Sequence, residues 1–277
     1  MKRLAFGLAL ALSFASAPLE GQSPRTMTAS RQLGRESDLD VRVTYGAGRF
    51  TVRSAPEGML YRMKLRYDED QFDPISEFDG HNLHLGVDAR GHNVRVGKHE
   101  GGDLDVELTR SIPMDLRLEF GAGRADVDLG GLSLTGLDVQ TGAAEALLDV
   151  SRPNPSEMDV ATLQVGAAQF TARRLGNLNA RRIEVNAGVG DVTIDLTGDW
   201  KGDGDVVVKM GLGSLQLRFP EGVGVRLEEK TFLTSVDTEG LVKRGDAYYS
   251  LDWDKAQRKI TVRVEAAFGS VDVRWAR

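Results

Sequence analysis

The chain has 277 residues, 35 Lys and Arg against 41 Asp and Glu, a formal net charge of −6, no cysteine, and 32 glycines against 8 prolines. The charges are mixed in sign and no basic block occurs, which excludes the clustered positive surface that nucleic-acid binding rests on and argues against electrostatic attachment to an anionic membrane face. Without cysteine there is no lipid-attachment thiol and no disulfide, so an exported chain of this kind relies on its own core or on bound ions.

Residues 1–17 read as a secretory signal peptide: Lys2 and Arg3 form a basic start, Leu4 to Phe14 an apolar run, and Ala15-Ser16-Ala17 an A-x-A cleavage site. The apolar run is shorter than the ~20 residues a membrane span needs, and no later segment is long and apolar enough to cross. Residues 18–38 are polar and aperiodic and read as a tether. From Leu39 apolar and polar residues alternate, with Leu39, Val41 and Val43 on one side and Asp40, Arg42 and Thr44 on the other. Further strands are expected at Tyr61–Tyr67, Leu83–Val87 and Val94–Val96, with an acidic loop from Asp68 to Pro74. Residues 39–110 are thus an irregular N-terminal β region.

Residues 111–277 are more regular. One phrase recurs at about 22-residue intervals: a Gly-rich turn, then an alternating strand. Its copies begin at Gly121, Gly142, Gly166, Gly188 and Gly211, after an outlying copy at Gly46. The array loosens after Pro220, residues 243–259 form an insertion, and the phrase returns around Gly269. A fixed period of this length marks stacked units, none of which buries its apolar face alone. The fold class expected is therefore all-β: a single-stranded β-helix-like solenoid of ~22-residue Gly-x-Gly repeats, preceded by a less regular β part.

The inward ladder would comprise Ala125, Val127 and Leu129; Ala146, Leu148 and Val150; Phe170 and Ala172; Val192, Ile194 and Leu196; and Leu215, Leu217 and Phe219. Outward, Asp128, Asp149, Arg173, Asp195 and Arg218 occupy one column whose signs alternate from Asp149 onward. Stacked opposite charges of this kind set register.

The repeated Gly-Ala-Gly, Gly-Val-Gly and Gly-Leu-Gly turns, with the ending Lys259–Val264 through Gly269–Val273, resemble the toast-rack family of bacterial envelope proteins, related to the C-terminal part of LiaF-like proteins. Residues 25–87 are similar to the N-terminal part of that family. The resemblance implies a non-enzymatic envelope or extracellular module, adhesin-like or sensing. LiaF-like proteins carry membrane helices, and here a signal peptide stands instead.

Chemistry-bearing residues are few. The 4 histidines, His81, His84, His92 and His99, lack metal-ligand spacing. Asp-x-Asp pairs occur at Asp103/Asp105, Asp126/Asp128 and Asp203/Asp205; Asp128 above Asp149 is the best position for Ca²⁺, but no calcium-roll pattern is matched, so no cofactor is expected. No G-x-S-x-G is present, and the outward columns are too mixed in sign for a carboxylate cleft. No catalytic, cofactor-binding or metal residue is assigned. Tyr248, Tyr249 and Trp253 either stack on a sugar ring or pack as a hairpin over the end of the stack; Trp275 continues the inward alternation.

These readings lead to an exported structural or recognition module of the bacterial envelope, adhesin-like or stress-related, in the periplasm or outside the cell. Its partner would be an envelope protein or a cell-wall glycan, and open ends would permit end-to-end pairing of copies. The first alternative is a carbohydrate-binding or carbohydrate-active β-helix, and the second a Ca²⁺-dependent adhesin.

Overall fold

The computed structural model describes residues 24–89 and 102–276. The expected signal peptide and the strand expected at Val94–Val96 lie outside the described residues, as do His92 and His99. Long strands dominate: β2 (Leu39–Ser54), β7 (Met114–Asp128), β8 (Leu134–Asp149), β9 (Met158–Arg173), β10 (Ala180–Asp195), β11 (Gly204–Phe219) and β16 (Lys259–Trp275). Between and around them lie β1 (Pro24–Gln32), β3 (Met59–Asp68), β4 (Phe72–Phe78), β5 (Asn82–Ala89), β6 (Gly102–Leu108), β12 (Gly224–Thr231), β13 (Thr234–Asp237), β14 (Leu241–Arg244) and β15 (Ala247–Ser250). All belong to one 16-stranded sheet. The helical content among the described residues is a single 3₁₀ turn, Leu175–Leu178.

The long strands stack in parallel, β2-β7-β8-β9-β10-β11-β16, with nearly unbroken register. Yet β7 and β8 are joined only by residues 129–133. A straight 15-residue strand would span about 50 Å, and so short a connection reaches less than ~20 Å. Each long strand must therefore fold back at its middle, making one V-shaped rung with two arms. Side chains from both arms meet inside: Leu118 and Val127, from opposite arms of β7, line the same interior gap of about 10 Å³. The whole inward ladder read from the sequence is buried, from Ala146 at 6% exposure to Leu129, Ile194 and Phe219 at 0%.

The glycine phrase is the bend itself, inside a continuous strand, and does not separate two shorter strands as the sequence reading had it. Gly123 (φ 113°) and Gly213 (φ 133°) take a backbone conformation that side chains resist. A Cβ at either would also stand 2.2 Å from the Gly48 carbonyl oxygen or 1.9 Å from that of Gly190. The phrase is not uniform, since Ala144 and Ala168 replace the second glycine in β8 and β9.

Both ends of the stack depart from chain order. Beyond β2 the next rung is split: β5 pairs with residues 40–44 and β6 with 48–54. At the other end β16 slots between β11 and a rung made of β12 and β13. After Pro220 the chain skips one position in the stack and supplies the last rung as two shorter strands. Antiparallel strands close the ends: β3 covers β6, β1 covers β3, β4 covers β5, and β15 covers β12.

The tether expected at 18–38 is a strand over Pro24–Gln32, in register with β3 from Pro24↔Asp68 to Gln32↔Met59. Only Met27 and Ala29 of its residues pack on the core, too thin an alternation to read against Thr and Ser neighbours. The loop expected at 68–74 is shorter, because β4 already begins at Phe72.

Candidate functional site

The outward columns are largely ion-paired between rungs. Arg117 meets Asp138 at 3.4 Å, Arg124 meets Glu145 at 2.6 Å, Arg182 meets Asp205 at 3.1 Å and Arg218 meets Asp195 at 3.7 Å. The column read from the sequence holds with two changes. Asp195, expected outward, is buried (7% exposed) and accepts the Thr197 N–H at 2.8 Å. Arg173 does stand beside Asp149 in register, but the side chain that grips Asp149 is Arg174, which enters at 2.9 Å from its Nε. Its left-handed backbone (φ 55°) turns it there.

Asp128 and Asp149 are register neighbours, and the chain's own donors occupy both. Asp128 accepts the Ser151 hydroxyl at 2.8 Å and the Gly130 N–H at 2.9 Å. Partial burial pushes its carboxyl up, but these hydrogen bonds outweigh that and hold it below the usual range. Asp103 pairs with Arg66 at 2.9 Å and Asp126 with Arg53 at 3.5 Å. Asp203 accepts the Lys259 N–H at 2.7 Å. Among the described residues no group of three or more His, Asp or Glu is placed to hold a metal.

His81 lies 3.7 Å from both Asp38 and Asp40, half exposed. The His84 ring is 3.4 Å from the Thr44 hydroxyl. Beside His84, a trough of about 310 Å³ runs between Asp40, Arg42, Asp115 and Arg117. Desolvation, then the neighbouring Asp40 charge, raises the Asp115 carboxyl.

The aromatic insertion packs on its own cations. Tyr249 and Trp253 meet edge to face at 5.3 Å. Arg226 and Arg244 lie over Tyr249, Lys243 over Tyr248 and Lys259 over Trp253, at 5.2–5.9 Å from the ring centres. These contacts belong to a hairpin packed at the end of the stack, where β15 pairs with β12. Trp275 meets Phe219 at 5.5 Å and donates its indole N–H to the Glu239 carbonyl at 2.8 Å.

The feature that sequence reading missed is the apex of the bends. The middle residue of each phrase points outward, and these residues stack: Ala47 on Ala122, Ala122 on Ala143, then Val189 on Leu212 and Leu212 on Phe268. The column grows from methyl groups to large apolar side chains toward the C-terminal end. Val189 is 48% exposed, Leu212 49% and Phe268 46%. The last rung extends it: Phe232 and Leu233 lie between Thr231 and Thr234, whose partners are Ala266 and Gly269. Reading the x of Gly-x-Gly down the period would have found it. Beside this ridge runs a shallow trough of about 660 Å³, floored by Gly188, Gly211 and Ala267 and walled by Lys209, Lys230 and Glu265.

A bent parallel stack of this kind, closed by antiparallel strands, defines an all-β scaffold whose distinctive surface is an edge. The sequence pattern of the N-terminal domain of toast_rack, DUF2154, matches residues 20–173 and again 161–218. The chain belongs to that family. No curated protein matches it. Among solved structures it is similar to a candidate cell adhesion protein from Clostridium sporogenes, 18% identical with a TM-score of 0.48, covering 91% of this chain and 100% of that one. It is also similar to a candidate adhesin from Bacteroides fragilis, 12% identical with a TM-score of 0.37, covering 90% and 97%. A candidate lipid binding protein from Parabacteroides distasonis, 10% identical with a TM-score of 0.33, covers 92% and 97%.

Proposed function

We propose that this chain is an exported, non-enzymatic recognition module of the bacterial cell envelope, adhesin-like, built as a β-solenoid of ~22-residue rungs. It meets another envelope component through the apex ridge at its C-terminal end. One observation carries the reading. Val189, Leu212 and Phe268 leave nearly half their surface in water in a continuous file, whereas the large apolar side chains on the arms of the long strands are buried apart from Val160, and many outward charges pair between rungs. Large contiguous apolar surface on a folded module marks a contact site.

The test is a crosslinking pull-down from envelope extract, read for proteins, glycans and lipids, with the exported chain and its Leu212→Asp variant as baits. The reading predicts a dominant envelope component whose recovery falls about ten-fold in the variant, as loss of a central apolar anchor does, while the melting temperature stays put. Equal recovery by both baits overturns it.

A further inference from the structure

The ridge ends in a local distortion. Leu233 adopts φ 46°, one of three non-glycine residues with positive φ among the described residues. A bulky residue is strained in that region. The turn bends the chain as in the other rungs, so that β12 and β13 both pair with β16 and the Leu233 carbonyl accepts the Gly269 N–H at 3.4 Å; it leaves Leu233 72% exposed and Phe232 65%. It also leaves two neighbouring apolar side chains exposed at the bend of the last rung. Phe232 is held upright by Phe268, ring centroids 5.7 Å apart and edge to face, and by its own N–H on the Ala266 carbonyl at 3.0 Å.

The shape around these residues narrows the choice of partner. The ridge is the outer side of a bend, so it is convex, and a second convex protein would touch it only along a line. A fluid surface closes around an edge. Polar shoulders flank the ridge on both sides. On one side Lys209 stands next to Glu265, and Glu265 next to Lys230; on the other, Ser214 stands next to Ser270 and Ser270 next to Ser235. None of Lys209, Glu265 and Lys230 forms an ion pair among the described residues. A Lys–Glu–Lys file matches headgroups that carry both a phosphate and an ammonium, and the hydroxyl file bonds to either. An apolar keel with amphoteric shoulders is the layout of a surface that enters the lipid interface without crossing it.

We propose that the C-terminal apex, with Phe232 and Leu233 at its tip and Leu212 and Phe268 behind them, inserts into the interface of a zwitterionic phospholipid bilayer. The inference rests on the ridge being the contact face and names its occupant. Insertion is apolar, so it is compatible with a net charge of −6 and differs from attraction to an anionic membrane.

The experiment is co-sedimentation of the exported chain, as recovered from its host, with phosphatidylcholine vesicles and with vesicles containing phosphatidylglycerol. Phosphatidylcholine binding is expected, changing less than about two-fold between roughly 0.05 and 0.5 M salt, since little of it is screened charge attraction. Phe232→Ser with Leu233→Ser should weaken it about ten-fold. Leu251→Ser, at a 74% exposed residue on the far end of the arm, should leave it unchanged. Leu233→Trp should emit at shorter wavelength with vesicles than without. No vesicle binding, binding only to anionic vesicles, or equal binding by the Phe232/Leu233 variant each overturns the proposal. If vesicles fail while the Leu212-dependent pull-down recovers a protein or glycan, only the bilayer inference falls. If that pull-down is also indifferent to Leu212, the recognition reading falls with it.

Discussion

Asn154 and Asn177 lie one above the other in the loops between rungs, and the Asn154 N–H donates to the Asn177 carbonyl at 2.8 Å. Both are buried. Their side chains continue the ladder where strand pairing stops. The Asn154 amide donates to the carbonyls of Leu134 and Leu178, both at 2.8 Å, and its oxygen accepts the Leu134 N–H at 2.9 Å. The Asn177 amide donates to the Val150 carbonyl at 2.8 Å. Backbone groups that the sheet leaves unpaired are thereby satisfied inside the protein.

Asn154→Ala strips partners from several buried backbone groups at once. It should cost about 2–3 kcal/mol, the range for unsatisfied buried polar groups. Urea unfolding of the variant against the parent measures this. A loss under about 0.5 kcal/mol would mean that water replaces the amide.

Val192 and Ile194 point between the arms, at 2% and 0% exposure, while Thr193 between them faces out. Val192→Asp or Ile194→Asp should each destabilise by several kcal/mol, more than ~3, by burying an unpaired charge. Thr193→Asp should stay within about 0.5 kcal/mol. Melting of the two core variants within a degree of the parent would refute the facing.

Tyr45 packs against both Phe50 and Phe120, each ring centre 6.1 Å away, and its buried hydroxyl has no partner among the described residues. Burial, then the Asp103 charge, raises its ionisation above the ordinary value of 10.0. With a raised folded value, stability is full below the unfolded value and falls as pH climbs past it. Tyr45→Phe should therefore be neutral or stabilising by about 1 kcal/mol at pH 7. It should also resist alkaline unfolding better than the parent. A clear loss at pH 7 would reveal a partner for the hydroxyl.

For Asp128 the sign is opposite. Its lowered carboxyl contributes stability above the unfolded value of 3.8, lost as pH falls through the folded one. Ser151→Ala removes its strongest donor. The variant should be less stable by about 1 kcal/mol at neutral pH, discounted for exposure. The gap should close in strong acid; a gap that is constant down to pH 2 would assign the loss to packing instead.

The inward ladder was legible because period-2 alternation and a ~22-residue repeat agree on the same residues. The bend was misread because a strand that folds back at glycine has the same local pattern as two strands and a turn. The placement of β16 between β11 and β12 was out of reach, since a chain that skips a rung leaves no mark on local periodicity. Arg174 displaced Arg173 at Asp149 for a similar reason: a left-handed backbone at a non-glycine residue is set by tertiary context. The ridge was readable in principle. Ala47, Val189, Leu212 and Phe268 sit at one position of the phrase, between the glycines that carry the period.

The C-terminal apex is the face proposed to meet the envelope. The most direct measurement places a photoreactive benzophenone side chain at Leu212, and separately at Val242, which is 44% exposed on the end hairpin. Each protein is then irradiated in its native envelope. The prediction is an adduct from position 212, abolished by Phe232→Ser with Leu233→Ser, and none from position 242. Adducts of equal yield from both positions, or none from position 212, would contradict it.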